Sequence, residues 1–493
     1  MSHCYALLLV PALFHSLSGG TAAFAQEADE QLAAHQQRAR AAEERQDFAA
    51  AVREYRALAD ALPNNAELES NLGVALYFNH EFKRAADTLR RAETLKPALY
   101  APHLFAGLAM AQLGEPDAAV VELQKAVSIN SADPLAHTWL GYEYTAQSRF
   151  ERAAEQMQIA VQQKPEDQDV WFALGRCYLE LGKQATIELL HAAPDGGRTW
   201  QLAGEQYEAQ GNKGKAVKLY SGALERRPDL TELGEKVHAP GGTAAAAKAS
   251  RDANHDEEDR LYRLVHSYQA KAKEAFERVA RIDADSYRAH QVLGDSYAAA
   301  DRFDDAIPEY RMVLERKPDL PGIHGALCNA LSRTGRIREA IKECDAEIAV
   351  SPYSAGAYAQ DARLHVLEDD HAQAATLLQK ALTLDRPPIA VYKLQARIEV
   401  AQKRYPAAIK SLTHYLAGEP KDASAWFLLA RAYKAAGNST KMAEAIETYK
   451  KTSDAAKGSG EVQRAFHTQR DGDALPGEAE MNGASESSGS HTQ

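Results

Sequence analysis

Large apolar residues recur three and four positions apart through most of this chain, and the blocks they form come in pairs. "HTWLGYEYTAQSRFERAAEQMQIAVQQKP" from His137 to Pro165, "HQVLGDSYAAADRFDDAIPEYRMVLERKP" from His290 to Pro318 and "WFLLARAYKAAGN" from Trp426 to Asn438 share one such pattern. The spacing places the apolar side chains on a single face of a helix. A turn around Gly or Asp follows, then a second amphipathic helix with alanine at its close-packed places. Proline often ends the unit, where it cannot continue a helix. Windows of this kind begin at Leu32, Ala66, Tyr100 and Pro134 with a constant period of 34 residues, and again near Ala253 and at Tyr287, Pro321, Ala355, Ile389 and Ala423. Between the two series lie windows at Gln168 and Gly197. The pattern predicts an all-α chain of antiparallel helix pairs, each too small to bury its apolar face without its neighbours.

Two irregularities divide the array. From Gly175 to Gly204 is 29 residues rather than 34, so the second helix around "KQATIELLHAAPDGG" is expected to be short and residues 168–196 to form an irregular repeat. Farther on, "TELGEKVHAPGGTAAAAKASRDANHDEEDR" (231–260) combines Pro-Gly-Gly, an alanine run and a charge cluster, the composition of a mobile linker or an edge insertion. The expected organisation is an N-terminal stack over 32–230, the linker or insertion over 231–260, a C-terminal stack over 261–456 and a tail over 457–493. The tail is rich in Gly, Ser and Glu, and disorder is expected there.

The best-formed windows carry a more specific signature. One has Leu140-Gly141, Tyr144, Ala153 and Pro165; another has Leu293-Gly294, Tyr297, Ala306, Tyr310 and Pro318. These residues resemble the tetratricopeptide repeat family, whose pattern is a large residue, Leu-Gly, Tyr, then Ala, an aromatic and Pro. The Ala355 window departs from it, with Asp361-Ala362 and His365 where Leu-Gly and Tyr are usual. The resemblance implies a helical solenoid wound into a superhelix, with first helices lining a concave groove that binds a protein or peptide partner. Groove-facing places in the family lie three before, one after and four after the Gly place. Here they hold Val74, Tyr77, Leu104, Leu108, Tyr142 and Phe172, then acidic Glu205 and Glu208, then Arg363, Lys393, Arg397, Arg431 and Lys434. The family's chaperone-binding clamp needs a Lys three before the Gly place and an Asn just after it; Asn329 has Gly325 as its would-be partner. The expected function is an exported scaffold that assembles complexes through its groove. The alternative is a non-catalytic regulatory or assembly subunit of an envelope enzyme complex.

Charge refines the expected partner. The chain of 493 residues has a formal net charge of −12, which argues against coating a nucleic acid. Yet residues 389–456 hold 11 Lys and Arg against 6 Asp and Glu, so the last groove places suit an acidic partner segment or the chain's own Glu478, Glu480 and Glu486. No apolar run reaches the length of a membrane span.

Little catalytic chemistry emerges. Cys177 beside Arg176 falls on a first helix at a place suited to a packed thiol. Cys328 and Cys344 lie on the two helices of one window, where either a disulfide or two buried thiols would fit. In "RDANHDEEDR" the alternate spacing of Asp252, Asn254 and Asp256 suggests a calcium loop, but Glu257 replaces the turn glycine and Arg263 the final Glu. A solvated charge run is expected instead. His103, His137, His290 and His324 recur at one place in separate windows, which suits seam residues rather than one metal site. No P-loop, G-x-S-x-G elbow or H-E-x-x-H is present, so no cofactor, metal ligand or catalytic residue is assigned.

The first 25 residues read as an export signal: "YALLLVPALF" is a short apolar core, and "AFAQ" supplies the small-x-small cleavage pattern, with only His3 where a basic residue is usual. The mature protein is therefore expected in the periplasm or outside the cell, starting at Gln26. Mass spectrometry of the protein from its native host checks this, and an intact Met1 would overturn both cleavage and location.

Overall fold

The computed structural model describes residues 22–237, 253–384 and 387–458, so the expected signal core and the tail beyond 458 lie outside the described residues. Among the described residues there are 22 α-helices and no strand. In chain order they are α1 (Ala22–Glu44), α2 (Phe48–Ala61), α3 (Ala66–Phe78), α4 (Phe82–Leu95), α5 (Tyr100–Gln112), α6 (Pro116–Ile129), α7 (Pro134–Ala146), α8 (Phe150–Gln163) and α9 (Gln168–Ala192). There follow α10 (Gly197–Ala209), α11 (Lys213–Arg226), α12 (Ala253–Ile282), α13 (Tyr287–Ala299), α14 (Phe303–Arg316), α15 (Ile323–Arg333) and α16 (Ile337–Val350). The last six are α17 (Ala355–Leu367), α18 (His371–Thr383), α19 (Ala390–Ala401), α20 (Tyr405–Gly418), α21 (Ala423–Ala435) and α22 (Ser439–Gly458). Predicted window starts and observed helix starts coincide at Ala66, Tyr100, Pro134, Gln168, Gly197, Tyr287, Ala355 and Ala423. Side chains of Asn65, Asp133, Ser286, Ser354 and Asp422 accept backbone N–H bonds at five of the helix starts, capping donors that would otherwise be orphaned.

Each pair is closed by two local devices. The fifteenth residue of a window turns the chain with positive φ, as at Gln46, His80, Gly114, Ser148, Gly211, Asp301, Gly335, Asp369, Lys403 and Gly437. Seven residues earlier stands a small residue that lets the two helices touch, a glycine in five of these ten windows and Ala or Cys in the others. A Cβ on Gly73 would meet Leu89 at 2.5 Å, on Gly107 Leu123 at 2.7 Å, on Gly141 Met157 at 2.8 Å and on Gly294 Tyr310 at 2.8 Å, always the residue 16 positions on. Consecutive pairs are tied by a ring N–H at the fourth residue. Trp171 and Trp426 donate to the carbonyls of Pro165 and Pro420, each at 2.9 Å, and His103 Nε2 lies 2.9 Å from the Pro97 carbonyl. The other ring nitrogen of the histidines meets a side chain 19 residues on: Glu122 for His103, Gln156 for His137, Glu309 for His290 and Glu343 for His324, at 2.7–2.8 Å. These are seam histidines, as expected.

The described residues fall into two compact units, those of 22–182 with Tyr268–Ile282, and those of 183–267 with 283–458. The first has one continuous core from Ala39 to Leu181, completed by Ala272 and flanked by Tyr268 and Phe276. This corrects the expected short repeat at 168–196. No second helix starts after Gly182; α9 runs on to Ala192, and the helix that closes the repeat is the C-terminal half of α12. A Cβ on Gly175 would meet Phe276 at 2.6 Å, Gln168 Nε2 donates to the Val279 carbonyl at 2.8 Å, and Tyr178 stacks on Tyr268. The repeat is split by the 85 residues of 183–267; without them Tyr287 would follow Gln168 by 34 positions, the period of the rest of the array. The apparent deficit of five residues thus came from counting an inserted pair, α10 and α11, as the next window.

The split also corrects two further expectations. Ala253–Ile282 is one 30-residue helix, not a helix pair, and only 238–252 of the expected linker falls outside the described residues. The charge run at its start is solvated only in part: Asp256, Glu257 and Arg260 are exposed, but Glu258 and Asp259 are not. Glu258, buried, accepts from the Arg198 backbone N–H at 2.5 Å and lies 3.4 Å from the buried Arg227 guanidinium. Asp259 pairs with Arg198 at 2.6 Å and Arg227 at 3.2 Å, while Asp229 holds the far side of Arg227 at 2.6 Å. Buried charges demand this degree of pairing, because either one alone would remain desolvated and uncompensated. The network docks the first half of α12 on α10 and α11.

In the second unit Cys328 and Cys344 form a disulfide with Cα atoms 5.5 Å apart. They stand 16 residues apart at the place of the Gly contact, so a covalent bond replaces the packed pair found in other repeats. Closing a loop of that length stabilises the fold by roughly 3 kcal/mol in the chain-entropy account. Cys177 is a buried thiol, as its place on the first helix suggested; burial pushes its pKa up, and the Thr145 hydroxyl lies 3.4 Å away.

The split repeat makes a deletion testable. With Gly182 in place for a left-handed turn and its would-be Cβ 3.7 Å from that of Tyr268, joining 182 to 268 restores an ordinary helix pair. The chain lacking 183–267 is expected to keep its helicity per residue by circular dichroism and a cooperative melt; a molten, aggregating product would sink the split-repeat reading.

A second expectation concerns Asp361, which replaces the usual Leu in the weakest window. Its carboxyl is fully buried, neither oxygen has a hydrogen-bond partner, and the His365 ring lies 3.7 Å away. Burial, aided by Asp345, pushes it up to about 6. An unfolded Asp titrates near 4. Its contribution to stability is therefore intact below about pH 4 and is lost as pH rises through about 6. Asp361→Asn should leave urea stability unchanged at pH 4 and raise it by about 2–3 kcal/mol at pH 7.5. Equal stability at both pH values would mean that the carboxylate has a compensating partner.

Candidate functional site

The structure separates the eleven expected groove residues by where their neighbours leave them. Val74, Leu104, Leu108 and Phe172 are buried and form part of, or pack beside, the first unit's core. They do not line an open surface. α5 has ten successive buried residues from Ala101 to Met110 and α3 seven from Ser70 to Leu76, and helices buried in unbroken runs are covered all round. First helices of adjacent pairs pack directly on each other here, α3 on α5 and α5 on α7. Phe172 is covered by Phe276 at a ring separation of 5.9 Å, a consequence of the split repeat. Only Tyr77 and Tyr142 stay half-exposed, Tyr77 within an aromatic group with Phe78, Phe82 and Phe105, and Tyr142 edge-on to Trp139. The expected aromatic lining is therefore mostly core.

In the second unit the three arginines that share one repeat place differ in exposure. Arg363 is buried, Arg397 half-buried and Arg431 exposed. α17 packs against α19 and α19 against α21, whereas no further first helix follows α21 among the described residues. Along this run each first helix is packed by the next, and α21 has no successor among the described residues. Lys393 does not face a groove; its ammonium lies 3.0 Å from Asp422 and donates to Ser424 at 2.8 Å, tying α19 to the start of α21. Burial would raise the Asp422 carboxyl, but Lys393, Ser424 and Tyr415 together hold it below its usual range. Glu205 and Glu208 are likewise engaged. Glu205 accepts from the Tyr262 hydroxyl at 2.6 Å and pairs with His266 at 3.0 Å, and Glu208 pairs with Lys236 at 2.5 Å.

What remains open is one face of α21. Arg431 and Lys434 are exposed, with no acidic partner among the described residues, and Phe427 beside them is 37% exposed. Phe427, Arg431 and Lys434 occupy the three groove places of a single helix. Phe427 was absent from the sequence-based lining, although the same register arithmetic would have found it three residues before the Gly place. An aromatic plate with two cations at helical spacing can pack an apolar side chain while pairing with carboxylates. Elsewhere, Glu93, His103 and Glu122 bring three metal-capable atoms within 4.8 Å of one another.

No helix among the described residues is long and apolar enough to cross a membrane. Comparison with known proteins agrees with the helix-pair geometry. One tetratricopeptide repeat model matches residues 37–100, 140–186 and 270–321, and a second matches 399–465. The break between 186 and 270 falls on the inserted segment. No curated protein matches the sequence. Solved structures that resemble it include a tetratricopeptide repeat protein from Parabacteroides merdae, 12% identical, covering 67% of this chain and 96% of its own, with a TM-score of 0.41. A thermophilic repeat protein of Thermus thermophilus is 16% identical over 57% of this chain and 100% of its own, with a TM-score of 0.33. MamA from Desulfovibrio magneticus is 18% identical over 41% and 97%, with a TM-score of 0.29. With repeat models matching in both units and helix pairs holding the 34-residue register between them, the chain belongs to the tetratricopeptide repeat family of protein-interaction scaffolds.

Proposed function

We propose that the chain is an exported scaffold that holds a protein partner by an acidic segment or terminal carboxylate docked on α21. The observation that carries this reading is the exposed trio Phe427, Arg431 and Lys434, whose two cations have no carboxylate among the described residues. Arg397, half-buried on the preceding first helix, extends the positive field along the same repeat place. The chain's own Glu478, Glu480 and Glu486 are competitors for this face and lie outside the described residues. Export is supported by the apolar leader pattern and by the Cys328–Cys344 disulfide, a bond that persists in oxidising compartments.

The test is capture from envelope extracts of the native host by the wild type and by an Arg431→Glu, Lys434→Glu variant across a salt series. Charge-assisted hydrogen bonds contribute about 1.5–3 kcal/mol each, so reversal should weaken capture of the specific partner at least about tenfold at low salt. High salt should weaken the wild type in the same direction. Capture that survives both treatments would place recognition on another face.

A further inference from the structure

Four seam histidines follow one plan, but His103 has a feature that the others lack. Its Nε2 lies 2.9 Å from the Pro97 carbonyl, so that nitrogen carries the hydrogen and donates. Its Nδ1 faces Glu122 Oε2 at 2.8 Å, as in the sister repeats, and in addition Glu93 Oε1 at 3.6 Å. Glu93 comes from α4, His103 from α5 and Glu122 from α6, so three consecutive helices converge on one point. Ten residues before His137 and His324, where Glu93 stands relative to His103, the sequence has Val127 and Leu314, both packed against their cores. A carboxylate therefore occupies a place the fold otherwise fills with an apolar side chain. Its Oε1 is buried with no hydrogen-bond partner. A buried carboxylate oxygen without a partner is destabilising, so the position calls for a cation.

We propose that Glu93, His103 and Glu122 form a binding site for one divalent transition-metal ion of the Zn2+ class. His103 Nδ1, Glu122 Oε2 and Glu93 Oε1 supply one nitrogen and two oxygens, a donor set that suits such ions. At metal–ligand distances of about 2.0–2.2 Å, tetrahedral ligands lie about 3.3–3.6 Å apart. The 3.6 Å spacing of His103 and Glu93 already fits, and the 2.8 Å contact with Glu122 must open by less than about 1 Å. The Pro97 carbonyl plays the part of an outer-shell acceptor, fixing the tautomer that points the Nδ1 lone pair at the ion. Lys125 lies 2.9 Å from the other Glu122 oxygen, leaving Oε2 to the metal. A cavity of about 370 Å³ beside the cluster, lined by Glu93, Pro97, His103, Lys125 and Ser128, gives a path for the ion and room for a water as fourth ligand. The two carboxylate charges would match the charge of the ion, and the bound metal would clasp two successive repeats.

The experiment uses the full chain without a histidine tag, stripped with chelator and titrated calorimetrically with Zn2+ at pH 7.5. The wild type should bind one ion per chain and melt at a higher temperature with it, because a ligand that binds only the folded state raises stability. Glu93→Val, the residue at the equivalent place one repeat on, should lose that melting shift and bind at least about tenfold more weakly, the low end of what even an outer-shell loss costs. Glu93→Gln is made alongside in case the valine variant misfolds. Glu309→Gln, in the His290 pair, should bind as the wild type does. The absence of stoichiometric binding, or a Glu93 variant that binds as tightly as wild type, would overturn the site.

Discussion

The close approach of two antiparallel helices at one small residue underlies the rest of this structure. Where Gly73, Gly107, Gly141 or Gly294 faces the residue 16 positions on, the helices come near enough for Leu89, Leu123, Met157 or Tyr310 to fill the space a Cβ would take. Every helix pair then presents its remaining apolar surface to its neighbours, and a continuous core grows by repetition. The position tolerates a change of chemistry when the spacing is kept. Cys328 and Cys344 convert the contact into a covalent bond at the same separation.

The same contact explains how the chain accommodates an insertion within a repeat. Gly175 needs a partner, and Phe276, 101 residues away, supplies it as a residue 16 away does elsewhere. The inserted pair α10 and α11 brings its own Gly204–Tyr220 contact and a separate small core. The cost of the arrangement is a buried ionic network on the first half of α12, where Arg198 and Arg227 are matched by Glu258, Asp259 and Asp229. A helix that would read as exposed from its charges is thereby partly buried.

Stacking also decides which side chains are left for partners. A first helix covered by the next cannot offer its groove places, which removes Val74, Leu104, Leu108 and Arg363 from any binding surface, while Phe276 of the split repeat covers Phe172. The uncovered helix α21 keeps all three. The open face of α21 therefore arises from where first helices stop among the described residues, as well as from which residues stand in the register.

The sequence by itself determined the helix pairs, their period and the family, because helical periodicity and the Gly contact are local and repeat at fixed spacing. It also placed Cys328 against Cys344 and the histidines in the seam, since both follow from register. Only the tertiary structure decided which helix closes the split repeat: a helix 85 residues downstream of its normal place satisfies Gly175 as well as a local one would, and sequence spacing gives no means to tell them apart. It likewise decided the exposure of groove places, which depends on the neighbouring first helix rather than on the residue. Phe427 was legible in principle and needed only the register; the Glu93 contact with His103 and Glu122 was not, because its meaning lies in three helices meeting at one point.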